Sequence, residues 1–482
     1  MDFFKIRSFS GGVNEYVTES LLKSNEAVKA VNCNVDSGSL KTVKEPKSIQ
    51  TMSGNIHSLS VYYDGTNENI ITGVGTNLFK GTTDIYDISG SKLDTLNFEY
   101  KGNKILVGTS KNDTPFMISG NSVRKLKNRR PVYDEKTGDL KGYADANGNI
   151  KEKESDITTY APKGDFIELH YDRLWIAGDK NNPDRLYFST AGVNGADIED
   201  FTMPVEEAEA NMHGGFIDVR SYDGSKIIGL KVIFNAIVIF KNKSAYKIFG
   251  NSPSNYELVE LFSSNGAIAD KSICVGNNGA YFLNKDGIYF YDGTNTNLIS
   301  QKIQNIVRRM NINYASSSVG YFYNNKYYLA IPVDGSSNNN LLVIYDTLTS
   351  SFVTRNIGNI SGFIEYKNSL CISSDKYVKE LENGINNLPL YWETANYDYG
   401  RKDARKNSSY LYFRGKGDGS VKFTVKTEKK TKELIVPLTS TEQLYRKKLK
   451  NKGRIFKMII ENVNGSSFEV ISPELLTEID ED

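Results

Sequence analysis

Residues 272–300, SICVGNNGAYFLNKDGIYFYDGTNTNLIS, contain three short apolar runs separated by turn-forming residues. The runs lie at residues 273–275, 280–283 and 288–291. They are rich in Ile, Val, Tyr and Phe, which favour pleated, largely buried strands. Asp286-Gly287 and Asp292-Gly293 are turn signals, because glycine tolerates the positive φ that tight hairpin turns require. The stretch therefore predicts an antiparallel meander.

Looser copies of this meander recur along most of the chain. Further groups of short strands begin near residues 56, 96, 166, 227 and 318. A last group begins near residue 361, and it either completes a seventh unit or pairs with early strands to close a ring. A spacing of roughly 40–50 residues with about four strands each is typical of propeller blades. We predict an all-β fold with a β-propeller of six or seven degenerate blades over residues 51–387. A series of β-sandwiches or a β-solenoid is the alternative.

Two segments interrupt the meanders. Residues 127–160 are polar and turn-rich, which predicts an inserted hairpin or mobile loop between blades, where partner, inter-subunit or gating contacts are usually made. In residues 300–311, Ile303, Ile306, Val307 and Met310 follow the spacing of an amphipathic helix, and we expect that helix to lie on the sheet.

The two ends of the chain have patterns of their own. Residues 1–50 form an N-terminal segment that we expect to pack on the propeller or on a neighbour. Within it, Ser24 is a candidate N-cap for a short helix that continues to Val31, before a strand, a turn and a strand over residues 32–40. Residues 388–482 alternate apolar and polar positions, which predicts a compact C-terminal β-sandwich domain.

Composition limits the classes of function. The chain has 482 residues, and 59 Lys and Arg against 58 Asp and Glu leave a formal net charge of +1, without the basic excess of a dedicated nucleic-acid binder. The three cysteines, Cys33, Cys274 and Cys371, are far apart, so we expect buried free thiols. Only three histidines occur, in no zinc-binding pattern, and we expect neither a metal nor a cofactor.

No targeting or membrane segment is predicted. The first residues lack the apolar core of a signal peptide, and the most apolar later stretch, residues 227–240, is interrupted by Lys231 and Asn235. We therefore expect a soluble chain that is not exported by the Sec route and has no membrane anchor.

Three motifs imitate catalytic or ligand-binding sites. Residues 143–154 partly match a calcium loop, but Tyr143 takes the first ligand position, so an Asn-Gly hairpin tip is favoured. Residues 415–419, GKGDG, lie between strands rather than before a helix, which favours a hairpin turn over a phosphate loop. Glu206, Glu207 and Glu209 are candidate glycosidase acids, although charged loops are usually only solvated. We expect no enzyme.

A basic run is the candidate contact site. Residues 445–454, YRKKLKNKGR, suit phosphate groups or an acidic neighbour such as residues 478–482 of an adjacent subunit, and an exposed loop without a partner is the plain alternative. A single aromatic residue, Tyr445, argues against stacking on bases. The candidate contact residues are Arg446, Lys447, Lys448, Lys450, Lys452 and Arg454.

Three parts of the chain resemble phage structural proteins that build tail nozzles (tail tubular protein B) and head-completion or stopper rings. One part is the run of degenerate blades. The others are the N-terminal Phe9-Ser10-Gly11-Gly12-Val13-Asn14 with its continuation to Leu40, and the C-terminal Trp392-Glu393-Thr394 with Gly453-Arg454-Ile455-Phe456. The latter is similar to the β-sandwich that follows the propeller in such proteins.

The resemblance implies a non-enzymatic virion protein of the phage tail or head–tail connector, made in the host cytoplasm. Copies would form a ring, expected to be a hexamer, beside portal, adaptor or other tail proteins. Double-stranded DNA would pass through it during ejection without sequence-specific contacts, and a balanced net charge suits DNA that must slide. The alternative is a receptor- or glycan-binding propeller module of a tail or surface protein, which needs an aromatic, polar pocket on one propeller face. A glycan-degrading propeller, with paired acids in a central cleft, is a third possibility.

Overall fold

The computed structural model describes residues 2–134, 136–191, 197–203, 213–220, 224–262 and 264–480. It divides into two compact units. Unit 1 comprises Met1–Ile49, Leu298–Ile360 and Lys379–Asp482, and unit 2 comprises Gln50–Asn297 and Ser361–Val378. Unit 1 therefore combines both ends of the chain with one internal segment.

The N-terminal segment consists of short strands in unit 1. Residues 24–31, predicted to be a helix, form a strand instead, because Glu26–Val31 pairs with a strand from the far end of the chain. The two Ala-Val pairs at residues 27–28 and 30–31 suit a strand as well as a helix, so the pattern alone does not decide between them. The strand–turn–strand that follows is confirmed. The strands are β1 (Asp2–Lys5), β2 (Gly12–Val13), β3 (Glu26–Val31), β4 (Cys33–Asn34) and β5 (Leu40–Thr42).

Unit 2 contains five consecutive antiparallel sheets of four strands each among its described residues. The first sheet has β7 (Ile56–Tyr63), β8 (Glu68–Val74), β9 (Asn77–Lys80) and β10 (Thr83–Asp87), after β6 (Lys47–Thr51). The second has β11 (Asp94–Tyr100), β12 (Asn103–Thr109), β13 (Phe116–Ser119) and β14 (Ser122–Lys125). An insertion with β15 (Arg129–Tyr133), β16 (Leu140–Asp145) and β17 (Ile150–Lys151) follows.

The remaining three sheets repeat the same order. The third has β18 (Phe166–His170), β19 (Arg173–Ala177), β20 (Arg185–Phe188) and β21 (Gly215–Asp218). The fourth has β22 (Ile227–Ile233), β23 (Ala236–Lys241), β24 (Ala245–Phe249) and β25 (Glu257–Phe262). The fifth sheet lies within residues 272–300, and the meander predicted there is confirmed as β26 (Cys274–Gly276), β27 (Gly279–Asn284), β28 (Gly287–Tyr291) and β29 (Thr296–Leu298).

A further four-stranded sheet, the closing sheet, joins distant parts of the sequence. Its strands are β34 (Gly362–Tyr366), β35 (Ser369–Ser374) and β36 (Tyr377–Glu380), and β6 adds the fourth strand beside β36. The predicted pairing of the last meander with an early strand is therefore confirmed.

Consecutive sheets of unit 2 pack face to face through apolar side chains. Tyr62 and Leu106 share one cluster between the first and second sheets, and Phe240 contacts Phe282 between the fourth and fifth, with ring centroids 5.3 Å apart. Ile364 of the closing sheet shares a cluster with Ile56 of the first. Sheets that pack in sequence, with the last on the first, are the blades of a β-propeller, as predicted.

Unit 1 holds the C-terminal sandwich and the meander at residues 318–355. This meander was predicted as one of the propeller blades, but it lies outside unit 2 and joins the sheet of unit 1, where Thr354 pairs with Val31 of β3. The predicted helix at residues 300–311 is confirmed in a shorter form: a 3-10 turn at Ser300–Ile303 leads into α1 (Gln304–Arg308), and Ile303, Ile306 and Val307 are buried. The meander consists of β30 (Val319–Tyr323), β31 (Lys326–Ile331), β32 (Leu341–Asp346) and β33 (Ser351–Arg355).

The C-terminal sandwich is built around one long strand. The strands are β37 (Tyr391–Thr394), β38 (Arg405–Thr427), β39 (Thr431–Leu438), β40 (Gln443–Gly453), β41 (Phe456–Asn462) and β42 (Ser467–Asp480). The first half of β38 pairs with β40 and β42, and its second half pairs with β39 and β41. Phe413 and Phe423, from the two halves, contact each other with ring centroids 4.7 Å apart.

The hairpin predicted at residues 415–419 is therefore wrong, because these residues continue β38 without a break. Their glycines permit close pairing where the strand passes from one set of partners to the other. A Cβ added to Gly417 would lie 2.3 Å from the carbonyl oxygen of Ser467, and a Cβ added to Gly415 would lie 2.8 Å from that of Glu469.

Candidate interaction surface

The basic run lies on an edge strand of unit 1. Residues 443–453 form β40, which pairs with β38 and with no other described strand. The exposed loop considered for this run is therefore wrong: the cationic side chains stand on a strand whose second edge is open. Charged side chains, lysine above all, commonly protect such an edge from unwanted strand pairing.

The strand separates its side chains onto two faces. Leu449 and Asn451 are buried, and Lys447 is half-buried opposite Leu411. The other candidate residues are exposed: Arg446, Lys448, Lys450, Lys452 and Arg454. We call the exposed side of β40 with Arg446, Lys448, Lys450 and Lys452 the basic edge.

Arg446 is held in place by aromatic rings. Its Cζ lies 4.0 Å from the ring centroid of Tyr410 and 5.7 Å from that of Tyr412, because these tyrosines stand opposite Lys448 and Arg446 in the register of β38 and β40. Tyr445 lies on the other face, stacked on Phe413 at 4.9 Å. The basic edge thus includes an arginine packed on tyrosine rings. The sequence of the basic run could not predict this contact, because both tyrosines precede Arg446 by more than thirty residues.

The middle of β40 contains a bulge. Asn451 pairs with Ser408 and Lys448 pairs with Tyr410, so one more residue lies on β40 than on β38 between these pairs. Lys450 there adopts a φ of 52°. The bulge bends the strand locally while Lys450 stays exposed.

The end of β40 is fixed by buried polar contacts. The ammonium group of Lys406, which is fully buried, donates to the carbonyl oxygens of Ala404 at 3.0 Å and Arg454 at 2.8 Å, and burial lowers its pKa. The Glu428 carboxylate accepts from the backbone N–H groups of Arg454 at 2.8 Å and Ile455 at 3.3 Å. These contacts fix the end of the strand from which the cations of the basic edge project.

Electrostatically, the basic edge has cations that its own unit does not neutralise. Arg446, Lys448 and Lys450 form no ion pair with any described residue. An Arg clamped on an aromatic ring and lysines on an open strand suit carboxylate or phosphate groups of a partner. Glu478, considered above as part of an acidic partner segment, lies in β42 opposite Asn407, whereas residues 481–482 lie outside the described residues.

A second charged set, which the sequence analysis missed, lies in unit 2. The first strands of neighbouring sheets contact one another, and they bring together Asp94 of β11, Glu168 of β18 and Lys231 of β22. Lys231 Nζ lies 2.7 Å from Glu168 Oε1, and Lys271 Nζ lies 2.5 Å from Asp94 Oδ1. No local pattern in the sequence marks these residues as a set, and Lys231 was interpreted only as an interruption of an apolar stretch.

The remaining candidate motifs have simple structural roles. The Asn-Gly hairpin tip at residues 147–148 is confirmed, with Asp145 Oδ1 accepting from the backbone N–H groups of Asn147 and Asn149 at 2.9 Å each. Glu206, Glu207 and Glu209 lie outside the described residues. Cys33, Cys274 and Cys371 are free thiols, and burial raises the pKa of Cys33 and Cys274 to about 12, opposite to the shift of an activated nucleophile.

Among the residues that the structure describes, no group of three or more His, Cys, Asp or Glu side chains is arranged to hold a metal ion. In the same part of the chain, no helix is long and apolar enough to cross a membrane.

Comparison with known proteins shows similarity only at the level of three-dimensional structure. No protein-family model matches the chain, and no curated protein sequence matches it significantly. The Pan2 WD40 domain of Neurospora crassa is similar with a TM-score of 0.37 and 9% identity, over 69% of this chain and 91% of that one. PorZ, a surface component of the type-IX secretion system of Porphyromonas gingivalis, has a TM-score of 0.26 and 12% identity, over 70% of this chain and 53% of that one.

A mutant of a family 29 carbohydrate-binding module is similar over 24% of this chain and 74% of that one, with a TM-score of 0.15 and 12% identity. Similarities of this size carry no inference about function. The propeller and the sandwich are identified from the sheets of this chain itself.

Proposed function

We propose that this chain is a structural virion protein that assembles into a ring of a phage tail or head–tail connector. In this role the ring is a hexamer that contacts a portal, adaptor or other tail protein, and double-stranded DNA leaves the particle through it. The protein is made in the host cytoplasm and catalyses no reaction.

The observation that carries the proposal is the joint fold of the two terminal segments in unit 1. Phe9 and Trp392 come from the N-terminal and C-terminal stretches that resemble nozzle and stopper proteins, and both are fully buried with ring centroids 5.0 Å apart in an edge-to-face contact. Strand β3 pairs with β37, and β1 pairs with β42. The two stretches that carry these resemblances therefore fold together in one unit, and the chain also contains a propeller.

The basic edge supports ring assembly. Arg446, Lys448 and Lys450, which form no ion pair with a described residue, stand on an open strand edge, a surface that a neighbouring copy with acidic groups would cover. The balanced net charge of +1 supports the passage of DNA, because a strongly basic lumen would retain the phosphate backbone.

The test compares the mass of the full chain alone and mixed with the portal protein of the same phage. Light scattering after size exclusion and negative-stain images should show rings, alone or on the portal. A triple variant, Arg446→Glu with Lys448→Glu and Lys450→Glu, should lower the ring fraction about tenfold, since like charges then replace the attraction. The matched control reverses Lys429 and Lys430, which are exposed between β38 and β39, and should assemble normally. A monomer in both samples would contradict the proposal.

A further inference from the structure

Two exposed aromatic rings occupy equivalent positions in neighbouring blades of unit 2. Tyr171 lies in the turn between β18 and β19 and is 42% exposed. Phe234 lies in the turn between β22 and β23 and is 53% exposed. Each turn connects the first and second strands of its sheet, so the two rings stand on the same side of adjacent blades.

The backbone at both positions is unusual for an aromatic residue. Tyr171 has a φ of 46° and Phe234 a φ of 48°, in the left-handed region. Two-residue hairpin turns of this kind favour Asn, Asp or Gly, and the corresponding turn between β30 and β31 has Asn324 and Asn325. A bulky side chain in this region costs on the order of 1 kcal/mol. The rings are thus placed in solvent at a cost to stability, which suggests a role other than folding.

Contacts between the turns hold the rings. Asn235, which follows Phe234, donates from Nδ2 to the hydroxyl oxygen of Tyr171 at 2.9 Å and so joins the two turns. The Phe234 ring lies over Gly293 of the fifth sheet, where an added Cβ would be 2.8 Å from the ring. A preorganised pair of rings loses little entropy when a ligand binds.

A buried histidine supports Tyr171. The His170 ring packs on it with centroids 4.1 Å apart, and His170 is only 8% exposed. Its Nε2 has no hydrogen-bond partner among the described residues. Burial lowers the pKa of His170, so the ring is neutral at neutral pH and adds no positive charge that would select an anion.

We propose that Tyr171, Phe234 and Asn235 form a binding platform for a pyranose ring of a neutral glycan. The C–H face of a pyranose is apolar and slightly positive, and it complements the negative face of an aromatic ring. Its hydroxyl groups both donate and accept, which matches the amide of Asn235 and the carboxylate of Asp172, the exposed residue that follows Tyr171. This arrangement is the aromatic, polar site that a glycan-binding propeller requires, and it does not depend on ring assembly.

The platform can be tested on the full-length chain by saturation-transfer NMR and calorimetry. The probes are chitopentaose, mannopentaose, maltohexaose and a galactan oligomer at millimolar concentration. We expect at least one to bind. The variants Tyr171→Asn and Phe234→Asn remove the rings but suit a positive φ, so the turns should still form. Each should weaken binding about tenfold or more.

Phe249→Ala is the matched control, because Phe249 is an exposed aromatic residue of the same unit outside the platform. This variant should bind the sugar with the affinity of the unaltered chain. Fluorescence of Trp175, whose indole donates to the His170 carbonyl oxygen at 3.2 Å, checks that the turn remains folded. The proposal is overturned if no probe binds, or if both Asn variants bind as well as the control. It is also overturned if Tyr171 and Phe234 crosslink to a protein partner while no sugar binds.

Discussion

At the scale of single residues, unit 2 contains a buried arginine that lies close to three carboxylates. Arg129, with 2% of its side chain exposed, lies 3.1 Å from Glu154, 2.8 Å from Asp197 and 3.5 Å from Glu199. The guanidinium ties the insertion at β15 to the segment that precedes β21. A buried charge without its partner is costly, so these residues depend on one another.

Replacing Arg129 with Met should therefore destabilise unit 2 by about 3 kcal/mol, because Asp197 and Glu199 lose a buried partner. Urea unfolding followed by the fluorescence of Trp175 in a Trp392→Phe background measures the change, since the sequence has only two tryptophans. Lys141→Met removes an exposed ion pair with Asp134 and should change the free energy of unfolding by about 0.5 kcal/mol or less. Equal effects of the two variants would refute this prediction.

Asp94 predicts a dependence of stability on pH. Burial alone would raise the pKa of Asp94, but the ammonium groups of Lys271 and Lys231 outweigh burial and hold the pKa below its ordinary value. A depressed pKa in the folded state gives stability that is present above the unfolded pKa and is lost as the pH falls through the folded pKa.

In Asp94→Asn, the free energy of unfolding of unit 2 should therefore decrease less steeply as the pH falls below about 4, the ordinary range of an Asp carboxyl. Urea midpoints between pH 7 and pH 3, read from Trp175, provide the measurement. Asp87→Asn, on the exposed edge strand β10, serves as the control and should retain the slope of the unaltered chain. If the urea midpoint of Asp94→Asn changed with pH as steeply as that of the unaltered chain, the ion pair between Asp94 and Lys271 would contribute nothing to stability.

At the scale of elements, the long strand β38 depends on its glycines. Because a Cβ at Gly417 would meet the backbone of β42, Gly417→Val should destabilise unit 1 by about 2–3 kcal/mol. Asp418→Val, at an exposed neighbouring position, should have little effect. Hydrogen exchange of the β42 amides gives the readout, and unchanged protection in Gly417→Val would contradict the expected clash.

The sequence predicted elements whose pattern is local and missed those defined by distant pairing. The meander at residues 272–300 carries its own turns and apolar runs, so it could be recognised without any partner. By contrast, residues 26–31 become a strand by pairing with β2 and with the distant strands β33 and β37, and Gly417 lies mid-strand because β42 returns beside it. Arg446 was identified as a candidate, but its tyrosine neighbours depend on a register that no local pattern reveals.

At the scale of the whole molecule, unit 1 needs both ends of the chain. Phe9→Ala should destabilise it by about 4 kcal/mol, because a fully buried ring against Trp392 is lost and a cavity remains. Urea unfolding read from Trp392 in a Trp175→Phe background checks the value. Leu21→Ala, at an exposed position of the same segment, should leave the midpoint unchanged. A stable Phe9→Ala unit 1 would mean that the N-terminal segment is dispensable.

The strand β6 has a consequence for biosynthesis. It leaves the ribosome early, yet its partner β36 is translated more than three hundred residues later. At roughly 5–20 residues per second, β6 waits on the order of tens of seconds without a partner. Its side chains, Lys47, Ser48, Ile49, Gln50 and Thr51, are mostly polar, which keeps the waiting strand soluble and lowers its tendency to aggregate on the nascent chain.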